Sequence, residues 1–296
     1  MCHWGFRYSQ GFEALMPQLA QARFLAYVLL ADARIRASDG NCKGALERCL
    51  LTGTLARHVG DDTLISYLVS VAVSRMEYDC IKSVVGQAAG DAELLRWLRS
   101  ELAASRGRTP SPVEPLKVER EIALDLMQMN KIEKFSKVVG DPEQKDLAKL
   151  VASVDEQTLE RARRIYSECL SSALTALSSP MPYADAYSQL DRQVSGLDAK
   201  DPAAAVARSL APAMTKVLGA KMTTEAYGNA IKAAVEIYLQ QVSTGRLPDA
   251  LPTGTPKDPF SGLDFQYERT AKGFVLRCQG KDLAKNAAQE FAFTVK

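Results

Sequence analysis

The hydrophobic period changes once along this chain, and that change constrains the fold more than any other feature. Up to about residue 245, apolar residues recur at three- and four-residue steps, the spacing of one face of an α-helix. Beyond it the pattern breaks. Residues 247–260 hold four prolines, and three short runs with strand-like alternation follow at 265–269, 273–278 and 290–295. A chain with this pattern is expected to be mainly α, with a small α+β end.

The first helix is expected over 14–38, where Leu15, Leu19, Ala22, Ala26, Leu29, Leu30 and Ala33 recur on one side. Asp39-Gly40-Asn41 stops it, since Gly and Asn tolerate a left-handed backbone. A second helix over 43–58 turns Ala45, Leu46, Cys49, Leu50 and Leu55 inward. Gly60-Asp61-Asp62 breaks it and caps a third over 63–87. There Ile65, Leu68, Val69, Ala72 and Val73 predict a helix packed on several sides. Asp91 caps a fourth.

Three prolines and a glycine in residues 107–115 predict a connector, with helix resuming over 116–139. The basic residues change with it: 11 Arg and 2 Lys before residue 113, 9 Arg and 15 Lys from there on. Asp141-Pro142 opens another helix, and the capping box 153–156 opens a long one striped by Leu159, Ala162, Tyr166, Cys169, Ala173 and Leu177. Pro180 and Pro182 end it. Asp201-Pro202 opens a short Ala-rich helix that Pro212 interrupts.

A last helix over 224–243 carries Tyr227, Ile231, Val235, Tyr238 and Val242 on one stripe, and Gly245 closes it. Because a hairpin alone is marginal in water, the terminal meander of two or three strands needs that stripe as its floor. The expected regions are a helical-hairpin body over 1–108, a second helical region over 109–222, and a helix-plus-meander module over 223–296.

Composition excludes several classes. With 37 Lys+Arg against 35 Asp+Glu, charge alone points neither to nucleic acid nor to an anionic membrane. The longest uncharged apolar stretch, 63–74, falls short of the roughly 20 residues that span a bilayer. The opening Met1-Cys2-His3-Trp4-Gly5-Phe6 lacks the parts of a cleavable leader. No two of Cys2, Cys42, Cys49, Cys80, Cys169 and Cys278 stand at C-x-x-C spacing, so buried free thiols are expected.

Catalytic signals are sparse. Of the two histidines, His3 lies near a terminus and His58 near a helix end, which leaves His58 as the one plausible base. There is no nucleophile elbow, zinc-protease motif, phosphate loop or dinucleotide fingerprint. Glu119 and Glu121 fall on different helix faces. Glu156 and Glu160 share one, where acids simply suit the helix dipole. Arg161, Arg163 and Arg164, interleaved with Glu160 and Glu168, read as a solvated face. Asp258-Pro259-Phe260-Ser261-Gly262 reads as a structural turn plugged by Phe260. No catalytic, cofactor-binding or metal-binding residue is assigned, and no cofactor is expected.

Two resemblances add context. Ala33, Gly40 and Ala45 stand where small residues stand in a tetratricopeptide helical hairpin, and this stretch is similar to one. Residues 230–282 resemble the soluble part of type II secretion pseudopilins. The match runs through Tyr238, Gly245-Arg246-Leu247-Pro248, Lys257-Asp258-Pro259-Phe260-Ser261-Gly262, Phe265-Gln266-Tyr267 and Gly273-Phe274-Val275-Leu276 with Gly280. A similar tail ends large uncharacterised exported proteins of planctomycete-type bacteria. Their opening is matched by residues 11–17, Gly40 with Ala45-Leu46, His58 and residues 62–66.

The departures are definite. Those proteins begin with a membrane segment, and this chain shows none. Gly280 to Asn286 offers one Asp and one Asn between lysines, where major pseudopilins carry an acidic calcium loop; calcium wants six to eight oxygens. The resemblance implies an extracytoplasmic setting; with the sparse catalytic signals and balanced charge, the expectation is a non-enzymatic scaffold that engages another protein or peptide through a helical groove, with no nucleic-acid partner. The alternative is a hydrolase-like enzyme whose site leaves no linear motif.

Overall fold

A computed structural model describes residues 16–60, 62–104, 110–131, 154–198, 200–210 and 214–295. The fold is mainly helical and ends in a three-stranded antiparallel sheet. In chain order α1 is Pro17–Ser38, α2 Cys42–Val59, α3 Leu64–Gln87, α4 Ala92–Ala104 and α5 Val113–Leu126. Then come α6 Glu156–Ser178, α7 Tyr183–Ser195, α8 Pro202–Leu210 and α9 Met214–Thr244. The strands are β1 Gln266–Thr270, β2 Gly273–Asp282 and β3 Ala287–Thr294.

The caps explain most boundaries. Gly40, at φ +81°, turns the chain from α1, and the Asn41 side chain then accepts the Gly44 N–H to start α2. α3 opens on Thr63, not on Asp62 as the sequence led us to expect: Thr63 Oγ1 accepts the Ser66 N–H, and Ser66 Oγ accepts the Thr63 N–H. Asp91 Oδ1 accepts the Leu94 N–H of α4. Asp155 caps α6, and Ser153 lies outside the described residues.

Three expectations need correcting. Helix resumes at Val113, not 116, because Pro115 fits the first turn, where its missing N–H costs nothing. That helix ends at Leu126, and only a 3-10 turn, Met129–Lys131, follows within the described residues. α9 starts ten residues before the expected 224. The Asp141-Pro142 start, Pro212 and everything before Met16 lie outside the described residues.

The third correction concerns α3. Ile65 and Leu68, expected in the core, are 51% and 42% exposed, and Ala72 is exposed. The inner face is instead Ser66, Tyr67, Ser70, Val73, Ser74 and Glu77. The serines there satisfy their hydroxyls locally: Ser66 Oγ donates to Thr63 O and Ser70 Oγ to Tyr67 O, each at 2.7 Å. Such short side chains let α2 and α9 approach α3 closely.

β1, β2 and β3 form a meander in that order, with Thr270 paired to Gly273 across a two-residue turn. The floor is α9. Tyr238 packs on Phe274 at 5.3 Å and Tyr227 on Phe291 at 4.8 Å between ring centroids. The Tyr238 hydroxyl donates to Thr294 O at 2.6 Å. The 258–262 turn is structural, as expected. Asp258 is fully buried and its carboxylate accepts from Phe260 N, Ser261 Oγ and Gly280 N. Gly280 is required there, since a Cβ would fall 2.6 Å from Phe260.

Candidate functional site

α1 carries two stripes. The inner one is Leu19, Ala22, Ala26, Leu30, Ala33 and Ala37, all buried. Its alanines let α1 lie close over the seam of α2 and α3, with Ala26 against Ala56 and Val73, and Leu19 and Ala22 against Val59. The outer stripe is Phe24, Val28, Ala31 and Ile35. Phe24 is 70% exposed, Ile35 60% and Val28 48%. These four stand at steps of four, three and four residues, which is the a/d spacing of a coiled-coil seam. Leu25 and Tyr27 flank it and are also exposed. Exposed apolar side chains that are contiguous, not scattered singly, are the kind that can serve as a contact surface.

The charges around that face divide into committed and open ones. Asp32 is bound by Arg36 at 2.9 Å and Arg48 at 2.6 Å, and these hydrogen bonds hold its carboxyl below the usual range. Arg34 and Asp39 are exposed and form no ion pair among the described residues.

A cleft of about 340 Å³ opens between α3, α9 and Pro110-Ser111. Tyr67, Ser74, Lys221, Glu225 and Asn229 face it, and Lys221 and Glu225 already pair at 3.8 Å. On the other side of α3, Glu77 is buried against Gly53 of α2. Burial pushes its carboxyl up to about 8, with Arg57 pulling weakly the other way. Nearby, the Cys49 and Cys80 thiols are both buried and influence each other's ionisation, Cys49 being pushed up and Cys80 down. Cys49, Cys80, Cys169 and Cys278 are buried and unbridged, and Cys42 is half-buried.

The residues singled out from the sequence are scattered. His58 is exposed at the end of α2. Glu119 is half-buried on α5, where burial raises its carboxyl to about 7, while Glu121 pairs with Arg120. Glu156 is held by Arg163 at 2.7 Å, and Glu160 lies 4.0 Å from Arg164. The arginine run does more than face solvent. Arg161 reaches Asp201 at 2.7 Å, and Arg163 also donates to Met127 O at 2.8 Å. These contacts tie α6 to the start of α8 and the end of α5. Among the described residues no group of His, Cys, Asp and Glu is placed to hold a metal ion.

Ala33 and Ala45 are fully buried where α1 meets α2. Among the described residues, no helix is long and apolar enough to cross a membrane. Set against known proteins, the chain matches no family model, no curated protein and no solved structure.

Sequence reasoning missed both the outer stripe of α1 and Glu77. The stripe's spacing was present in the letters, but the alanine stripe beside it has the same period, and only that stripe, with Leu15 and Leu29, was read as a face. Glu77 stands between Arg75 and Asp79, a setting that reads as solvated helix.

Proposed function

We propose that this chain is a non-catalytic protein-interaction module, and that a second copy of it covers the outer face of α1. One observation carries the reading: Phe24, Val28, Ala31 and Ile35 form an exposed seam at heptad spacing on a helix whose opposite side is anchored in the core. In a parallel pairing Val28 and Ile35 take the a positions, where β-branched residues favour two strands. Arg34 and Asp39 then take flanking g and e positions. Arg34 of each copy meets Asp39 of the other, giving two ion pairs by symmetry.

The extracytoplasmic setting rests on the resemblance of residues 230–282 to pseudopilins and of the opening to exported planctomycete-type proteins. The order of elements, a long helix and then an antiparallel meander, supports it. The tetratricopeptide-like reading of the α1–α2 hairpin is supported by the buried small residues at the crossing.

Sedimentation equilibrium tests the pairing. We expect a dimer at about 100 µM, the range of a weak association of about −5.5 kcal/mol, that Val28→Asp with Ile35→Asp converts to monomer. Arg34→Asp should weaken the dimer, and adding Asp39→Arg should restore it. A wild-type protein that stays monomeric throughout sinks the pairing, as does a dimer indifferent to Val28 and Ile35.

A further inference from the structure

A second, independent feature lies where α3, α9 and the β2–β3 turn meet. A small void of about 80 Å³ is walled by Val71 and Ala220 and bordered by Arg75, Tyr78, Thr223 and Lys285. That is room for several waters, and so for one small polyatomic ion. Two cations from different elements face it, Arg75 from α3 and Lys285 from the turn. Thr223 is 92% buried by its 8% exposure, and its Oγ1 has no hydrogen-bond partner. A buried hydroxyl without a partner is costly, and natural interiors rarely leave one so.

Two acids stand close by, Asp79 and Asp282. Asp79 accepts the Tyr227 hydroxyl. Asp282 Oδ1 accepts from the Tyr183 hydroxyl and Ala284 N, at 3.3 and 3.0 Å. Asp282 Oδ2, buried and without a hydrogen-bond partner, forms an ion pair with Lys285 Nζ at 3.6 Å, and the three-donor Lys285 ammonium, on a side chain 61% exposed, faces both that carboxylate and the void. Arg75 forms no ion pair among the described residues. Burial holds the Tyr78 phenol protonated, so it stays a donor.

We propose that this void is a binding site for a small tetrahedral oxyanion, of the class of phosphate or a phosphate monoester. Arg75 and Lys285 supply charge, and the Thr223 and Tyr78 hydroxyls supply donors between apolar walls. Such an ion would join the helical body to the sheet, because its ligands come from α3, α9 and the β2–β3 turn. The ion acts by binding alone, and no covalent step is involved.

The test is thermal unfolding and titration calorimetry of the full chain. Inorganic phosphate at about 10 mM is expected to raise Tm by a few degrees over chloride of equal ionic strength, as linkage to the folded state requires. Phosphoserine, run beside it, distinguishes a free ion from a monoester. Binding of either supports the site, and binding of phosphoserine alone assigns it to a monoester. Thr223→Val, which keeps the side-chain shape, should weaken binding at least about tenfold, the loss of one hydrogen bond to a charged group. Arg75→Gln should abolish it. No phosphate- or phosphoserine-specific shift overturns the proposal. So does a shift that both variants retain, which would mean an adventitious ion only.

Discussion

Glu77 is the residue whose chemistry differs most from its letter. Unfolded, it titrates near 4.5; folded, it is pushed up to about 8 by burial between α2 and α3. Below the unfolded value both states hold the proton, and the buried acid imposes no pH-dependent cost. As pH rises from about 4.5 through 8, the unfolded chain releases a proton that the fold keeps, so stability falls with pH. Glu77→Gln should remove that slope and stabilise the protein at the alkaline end. Urea midpoints taken at about pH 5 and about pH 8 check it, and the gap between them should narrow in the variant, with Glu119 keeping its own share of the slope. Legibility differed sharply between residues. Asp258, Pro259 and Gly262 declared a turn because each has a local backbone reason to be there. Glu77 has only a tertiary reason, since Gly53 on another helix leaves the space that it fills.

Among the elements, α3 shows how a hydrophobic pattern misleads. Its apolar residues fall on both sides, and the side with smaller polar groups became the inner one. The deciding factor is distance between helices: α3 contacts α1, α2, α5 and α9, and serines permit such crowding where leucines would not. Ile65→Lys and Leu68→Lys should therefore each stay within about 0.5 kcal/mol of wild type. Ser70→Leu, a smaller chemical insult on paper, should cost about 1–3 kcal/mol by overpacking. Chemical denaturation of the three variants orders them. The strands were easier to read, because prolines and glycines crowd the segment before β1 and Gly273 opens β2, although β2 and β3 run longer than their alternation implied. Helix ends at prolines were least legible: Pro115 stops nothing when it occupies a first turn.

For the molecule as a whole, α9 is the common floor. It packs on α3, α4 and α7 and also under β2 and β3, so body and sheet share one hydrophobic cluster. Phe274, fully buried between Tyr238, Tyr267 and Phe293, sits at that junction. Phe274→Ala should cost about 3–5 kcal/mol. Calorimetry should show the loss in a transition that includes α3 as well as the sheet. If only a minor, separate sheet transition moves, the shared-floor account fails. The mainly α class and the terminal meander were legible from the one change in period. The outward seam of α1 was not, since sequence periodicity reports amphipathic faces without saying which of two apolar faces the core takes.

The bond between Tyr227 and Asp79 joins residues 148 apart. On a ribosome adding 5–20 residues each second, α3 emerges roughly 7 to 30 s before its partner helix exists. During that interval α1 and α2 already cover part of its inner face, Val73 against Ala26 and Ala56 and Glu77 against Gly53, while the side that α9 will cover stands open. Ser74, which faces the cleft toward α9, keeps that open side small and polar, and so less adhesive, until α9 arrives to close over it.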